Sequence, residues 1–280
     1  MNEKVVLLGA GNVATHLAAA LLKTEYSLCQ IYSRTMESAR ILGMRTGVSY
    51  TNDTTTVYPD ADYYIFSVSD SAIAPLFKSL KIPPHAIVLH TSGSQSLKVF
   101  GSRENCGVLY PLQTFSRDRM MDFKEIPLLI EAGAGKTLGK IREMACSLSG
   151  RVREFGTSQR KLLHMAAVFA CNFVNHMYYI AGNILEKEDM DFKLLLPLIS
   201  ETAGKVAQLS PESAQTGPAR RNDEIILNMH RRLLRKEPEM LEIYNMLTAS
   251  VAKVYEQPEE EFSSEDNRVC EPDAPYPTLW

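Results

Sequence analysis

The chain lacks most features that would commit it to a membrane, a nucleic acid or a metal. No uninterrupted apolar run reaches the roughly 18 residues of a membrane span. Cysteine is scarce: Cys29, Cys106, Cys146, Cys171 and Cys270 are scattered, odd in number and without a CxxC pair. That fits reduced thiols in a cytoplasmic protein better than a disulfide framework or a cysteine zinc site. No metal site is expected. With a net charge of −3 there is no basic excess to hold nucleic acid or an anionic membrane. The N-terminal apolar run leads straight into a glycine motif, so it does not read as a signal peptide. There is no internal repeat.

What is present fits a globular protein of about two domains: 280 residues, 45% hydrophobic and 22% charged. The first half alternates strand and helix signals. "KVVLLG", "SLCQIYS", "DYYIFSV", "AIVLHT", "CGVLYP" and "IPLLIEA" read as strands, and "NVATHLAAALLK", "TMESARILGMRTG" and "SAIAPLFKSL" as helices. This alternation predicts a Rossmann-type α/β domain over 1–155, with a doubly wound parallel sheet. From Gly156 onward only helix signals remain, predicting an all-α domain over 156–256. Its helices are expected near Ser158–Leu185, Asp191–Leu209, Asp223–Arg235 and Pro238–Glu256. The acidic, proline-rich tail 257–280 reads as irregular, with Tyr276 and Trp280 as docking residues.

The motif "VVLLGAGNVATHL" sets Gly9 and Gly11 between a strand and a helix. Gly9 permits the tight turn, Gly11 lets the backbone approach a diphosphate, and Ala14 replaces a third glycine. The helix start, Asn12 and Val13, offers free N–H groups and the positive end of the helix dipole. The second strand ends "IYSRT", with no acid to bond a ribose 2′-hydroxyl. Ser33, Arg34 and Thr35 instead suit a 2′-phosphate, so NADP is expected over NAD.

Ligands of an open parallel sheet lie outside the carboxyl ends of its strands. Two such ends are polar: Val68, Ser69 and Asp70 in one, and His90, Thr91, Ser92, Gly93 and Ser94 in the other. Val68 and Ser69 are expected at the cofactor, and Ser92 and Gly93 at the substrate. Capping of the following helices by Ser69, Asp70 or Ser94 is the competing reading.

"KLLHMAAVFACNFVNHMYYIAGNIL", from Lys161, reads as a buried helix interrupted by His164, Asn172, Asn175 and His176. At 100° per residue, Lys161, His164, Val168, Asn172, Asn175 and Tyr179 fall within a stripe about 80° wide. His164 is the first candidate proton donor and Lys161 the second, with Asn172 orienting a carbonyl or amide. A packed core histidine or a subunit contact is the alternative. In "QTGPARRND", Thr216, Arg220 and Arg221 offer a clamp for an anionic substrate group, and Asn222 or Asp223 caps the next helix.

"GAGNVATHL" and "IYSRT", followed by "HTSGS", "YPLQTFS", "HMAAVFACNF" and "TGPARRND", carry a resemblance. The chain is similar to the superfamily of pyrroline-5-carboxylate reductase, 6-phosphogluconate dehydrogenase and 3-hydroxyacid dehydrogenases. Within it, the chain more closely resembles a Rossmann-like family of NADP oxidoreductases with a C-terminal domain of unknown function. The resemblance implies a homodimer formed by the helical domain. It departs at Tyr110-Pro111, where the family often has His-Pro, and at Val168, where hydroxyacid dehydrogenases carry a lysine.

The expectation is an NADP-dependent oxidoreductase moving hydride to or from a small, polar, anionic metabolite at a C=O/C–OH or C=N/C–N bond. The alternative is an NADP-binding sensor without turnover. A third reading, from family labels, is a reductase that uses NADP to service a deazaflavin-type coenzyme.

Overall fold

The computed structural model describes residues 2–255; the expected tail and Cys270 lie outside the described residues. The chain divides into two compact units, Met1–Met177 and Tyr178–Trp280.

The first unit is built on an eight-stranded sheet of order β3-β2-β1-β4-β5-β6-β7-β8. Its first elements are β1 (Lys4–Leu8), α1 (Asn12–Leu21), β2 (Ser27–Tyr32), α2 (Met36–Thr46) and β3 (Ser49–Thr51). Then follow β4 (Tyr63–Phe66), α3 (Asp70–Ser79), β5 (Ile87–His90), β6 (Cys106–Pro111), β7 (Leu128–Ala132), α4 (Gly135–Leu148) and β8 (Val152–Glu154).

Alternate residues of β1 enter different cores. Val5 and Leu7 pack in one cluster with α1 and α4, and Val6 and Leu8 in another with α3. Successive strand side chains point to opposite faces, so both faces of the sheet are covered, as a doubly wound fold requires. Burying each such Val or Leu contributes about 1.5–3 kcal/mol.

The expected Rossmann-type sheet is present, with one departure. β7 pairs antiparallel with β6, while the other pairings are parallel. Between Pro111 and Leu128 the chain has only a short 3-10 turn, Phe123–Glu125. A parallel neighbour needs a crossover element, and this segment holds none long enough. Helix α4 and strands β3 and β8 were not expected from the sequence.

The expected helix over 158–185 is present but is not regular. It consists of α5 (Thr157–Ala167), a π-helical segment Val168–Phe173 and α6 (Val174–Glu186). The i→i+5 bonding of a π segment changes the angular step. The stripe drawn at 100° per residue assumes a regular helix, which this segment is not. Nor is the helix buried: Leu162 is 62% exposed and Phe169 63%, and Arg160 is the buried residue of these three segments.

In the second unit the described α-helices after α6 are α7 (Leu196–Lys205), α8 (Pro211–Ala214), α9 (Glu224–Leu233) and α10 (Pro238–Tyr255). The stretch expected as helix from Asp191 starts as a 3-10 turn, Phe192–Leu195. Asp223 caps α9 by accepting from Ile226 N, and His230 Nδ1 lies 2.8 Å from Tyr244 Oη. Among the described residues no helix is long and apolar enough to cross a membrane.

Candidate functional site

A cavity of about 680 Å³ opens in the first unit at the carboxyl ends of its strands. One side is the turn from β1 to α1. Gly9 has φ +129°, a region that favours glycine, and an added Cβ would collide with the Ser67 carbonyl of the adjacent strand end. Gly11 precedes α1 with open space where its Cβ would stand, and no side chain caps this helix. The first-turn N–H groups of α1 thus have no side-chain acceptor and no acidic neighbour in that turn. This is an anion-binding arrangement, and it fits a dinucleotide diphosphate.

Ser33, Arg34 and Thr35 line the same cavity. Arg34 is exposed and makes no ion pair among the described residues. A guanidinium at this strand end, with no carboxylate beside it, fits a 2′-phosphate.

The loop after β6 closes over the glycine turn. Asn12 Nδ2 donates to Phe115 O at 2.8 Å, His16 Nε2 to Ser116 O at 3.0 Å, and Arg117 Nη2 to Ala10 O at 3.0 Å. The rings of His16 and Phe115 lie 4.7 Å apart. Arg117 and Gln113 join the cavity lining, placing a second guanidinium beside the glycine turn.

At the other end stand Val68, Ser69 and Asp70 after β4, Ser92 and Gly93 after β5, Tyr110 in β6, and His164 from α5. Tyr110 Oη lies 3.0 Å from His164 Nδ1. Burial raises the Tyr110 phenol above its usual range, against a smaller opposing pull from the Arg160 charge. Asp70 bonds Ser94, and its carboxyl is lowered: burial alone would raise it, but hydrogen bonds from Ser94, Ser92 and Gln95 outweigh that. His90 is pushed down to about 3 by burial, by repulsion from Arg160 next, and against attraction from Asp70. Its Nδ1 accepts from Ser92 N at 3.2 Å, which only the neutral imidazole can do.

Each nucleotide residue expected from the sequence, and Ser92, Gly93 and His164, lines this one cavity. Lys161 and Asn172 do not; both are exposed on the helix, Asn172 within its π segment. Arg220 and Arg221 belong to the second unit, where Arg220 bonds Gln215 O and lies 5.0 Å over the Tyr255 ring. Sequence reasoning missed Arg117, Gln113 and Arg160, and did not pair Tyr110 with His164. Nothing in local spacing relates Tyr110 to a residue 54 positions later.

A glycine turn at the switch point of a doubly wound sheet, in one cavity with a hydrogen-bonded Tyr110–His164 pair, fits a dinucleotide-dependent α/β protein. Comparison with known proteins specifies which. Residues 4–92 match a family model described as "NADP oxidoreductase coenzyme F420-dependent", and 126–251 one described as "Domain of unknown function (DUF2520)". A crystal structure of a candidate NADP oxidoreductase from Bacteroides fragilis is 44% identical, with TM-score 0.86 over 90% of this chain and 98% of that one.

The chain belongs to this family of NADP oxidoreductases with the C-terminal domain of unknown function; it is an oxidoreductase and NADP is its cofactor. More distant structures share the fold. A protein from Thermotoga maritima is 22% identical, with TM-score 0.68 over 90% of this chain and 98% of that one. A reductive aminase from Aspergillus terreus, in complex with NADPH and ethyl-5-oxohexanoate, is 16% identical, with TM-score 0.68 over 90% and 93%. No match was found among curated proteins.

Proposed function

We propose that the protein reduces a C=O or C=N bond of a small, polar, anionic metabolite, or oxidises the corresponding C–OH or C–N bond, with Tyr110 and His164 as the proton-transferring pair. The observation that carries this reading is the 3.0 Å contact between Tyr110 Oη and His164 Nδ1 in the wall of the nucleotide cavity. NADPH supplies the hydride when bound. Reduction also needs a proton, and a neutral phenol hydrogen-bonded to an imidazole can deliver one and be recharged through the ring. Gly9, Gly11 and the start of α1 hold the diphosphate, and Arg34 with Ser33 and Thr35 holds the 2′-phosphate. Ser92 and Gly93 contact the reacting group; in the second unit the exposed guanidinia of Arg220 and Arg221 have by themselves the chemistry to pair with an anion.

We assign NADP binding to residues 1–155, and substrate contact and dimerisation to 156–256. A homodimer through the helical half is supported by the exposed Leu162, Met165, Phe169, Phe173 and Tyr179. Apolar surface on this scale is unusual in a monomer. A cytoplasmic setting is supported by the free thiols of Cys29, Cys106, Cys146 and Cys171.

The test is NADPH consumption against a panel of 2-oxo acids, cyclic imines, keto esters with amines, and an oxidised deazaflavin coenzyme. Turnover of a carbonyl or imine supports the reading. Tight NADPH binding with no turnover of any panel member returns the protein to a sensor, and turnover of the deazaflavin alone makes it a coenzyme reductase.

A further inference from the structure

The buried part of the loop after β5, residues 91–93, contains one backbone donor without a partner among the described residues. Thr91 N donates to Phe66 O, Ser92 N to His90 Nδ1, and Ser94 N and Gln95 N both to Ser92 Oγ. Gly93 N has no hydrogen-bond partner among the described residues, although Gly93 is buried and lines the cavity. Buried N–H groups without partners are rare and call for an explanation.

Behind this loop stands a buried charge. Arg160 is 0% exposed; its Nη1 donates to Ser92 O at 2.9 Å and to Gly93 O at 3.0 Å, and its Nη2 to Glu131 Oε2 at 2.8 Å. In a trans peptide the C=O and N–H point in opposite directions, and the described backbone has no cis bond. The Ser92 carbonyl faces Arg160, so the N–H of the same peptide, that of Gly93, faces away from it. A positive charge on the carbonyl side polarises the peptide and strengthens its N–H as a donor.

Space in front of the donor is reserved as well. A Cβ on residue 93 would stand 2.6 Å from His164 Nδ1 and 2.9 Å from Tyr110 Cζ. Glycine therefore lets this N–H share one corner with the Tyr110–His164 pair. Arg160 and His164 are one helical turn apart on α5, so the helix that carries the imidazole also fixes the peptide.

We propose that the Gly93 N–H, oriented and polarised by Arg160, is a binding site for an sp² oxygen, which the Tyr110–His164 pair completes. The oxygen belongs either to the carboxamide of the nicotinamide or to the carbonyl or carboxylate of the substrate. Arg160 is a positioning residue: it touches neither, and acts through the peptide. The inference rests on the NADP oxidoreductase reading and adds to it a specific acceptor position.

The test follows backbone amides of the ¹⁵N-labelled full chain by NMR while three probes are added. 2′-Phospho-ADP-ribose carries the phosphates without nicotinamide, and should shift Gly9 and Gly11 while leaving Gly93 in place. NADP⁺ shifts Gly93 downfield if the carboxamide is the occupant. NADP⁺ with oxamate, a stable carboxylate–carbonyl probe, shifts it further, or for the first time, if the substrate is. In Arg160→Met the Gly93 shift is lost while those of Gly9 and Gly11 persist, and Arg160→Lys restores part of it. If Gly9 and Gly11 respond and Gly93 moves with neither NADP⁺ nor NADP⁺ plus oxamate, the proposal is overturned and the cofactor reading stands. If Gly9 and Gly11 fail to respond to any probe, both are overturned.

Discussion

Tyr110 Oη and His164 Nδ1 lie 3.0 Å apart, joining a strand end of the sheet to the helix that follows β8. The two rings meet nearly edge to face, at 77° with centroids 5.9 Å apart. The contact makes each group the hydrogen-bond partner of the other, so each is expected to matter through the other. Tyr110→Phe and His164→Ala should each lower kcat by roughly 10²–10⁴-fold, the usual scale of general acid–base catalysis. NADPH affinity should stay near that of the parent. The double variant should lose little more than either single one, because the residues act as a unit. Steady-state kinetics with the first productive substrate checks this.

The pH profile carries a sign. Burial raises the Tyr110 phenol above its usual value, so it remains protonated throughout the neutral range. Reduction should therefore show no Tyr110-dependent loss below about pH 10, the reference value for tyrosine. Any alkaline limb due to this residue should lie above that and vanish in Tyr110→Phe.

Stability should fall on the acid side because of His90. Its folded pKa of about 3 lies below the unfolded value near 6.5, so the unfolded chain binds more protons between them. The stabilising term is complete above about pH 6.5 and is lost as pH falls toward 3. Across that window His90 alone should raise the unfolding constant by about tenfold per pH unit. Urea titrations between pH 7 and 4 should show this slope in the parent chain and a shallower one in His90→Asn.

Two arginines should separate by ligand. Arg34→Ala should weaken NADPH by about tenfold or more while sparing NADH, since the proposed role of Arg34 is to pair with the 2′-phosphate alone. Arg117→Ala should weaken NADPH and NADH alike, because its guanidinium lies beside Ala10 at the diphosphate end. Calorimetric titration of both nucleotides with both variants distinguishes the two roles.

Lys161 and Asn172 serve as the contrast. Both are exposed on the helix and neither lines the cavity of the first unit. Alanine at either position should leave nucleotide affinity unchanged, and a loss of turnover there would place the substrate outside the described cavity.

Much of the nucleotide half was legible because its signals are local. Gly9 and Gly11 sit in a strand–turn–helix context, and the missing acid after β2 is visible within "IYSRT". The helix over 157–186 was legible as an element, but not its π segment. Hydrophobic periodicity assumes one angular step, and Val168–Phe173 departs from it. Apolar residues such as Phe169 and Phe173 implied burial, but periodicity does not say whether the covering surface comes from the same chain. Arg160 was not legible at all. A buried arginine and an exposed one look alike in a helix, and its acceptors lie 67, 68 and 29 residues away in sequence.

The most direct measurement of the central claim is the affinity of the purified full-length chain for NADPH against NADH by calorimetric titration. The account predicts one nucleotide site per chain, with NADPH bound at least about tenfold more tightly than NADH, as one charge-assisted 2′-phosphate contact would give. Equal affinity, or no binding of either nucleotide, would contradict it.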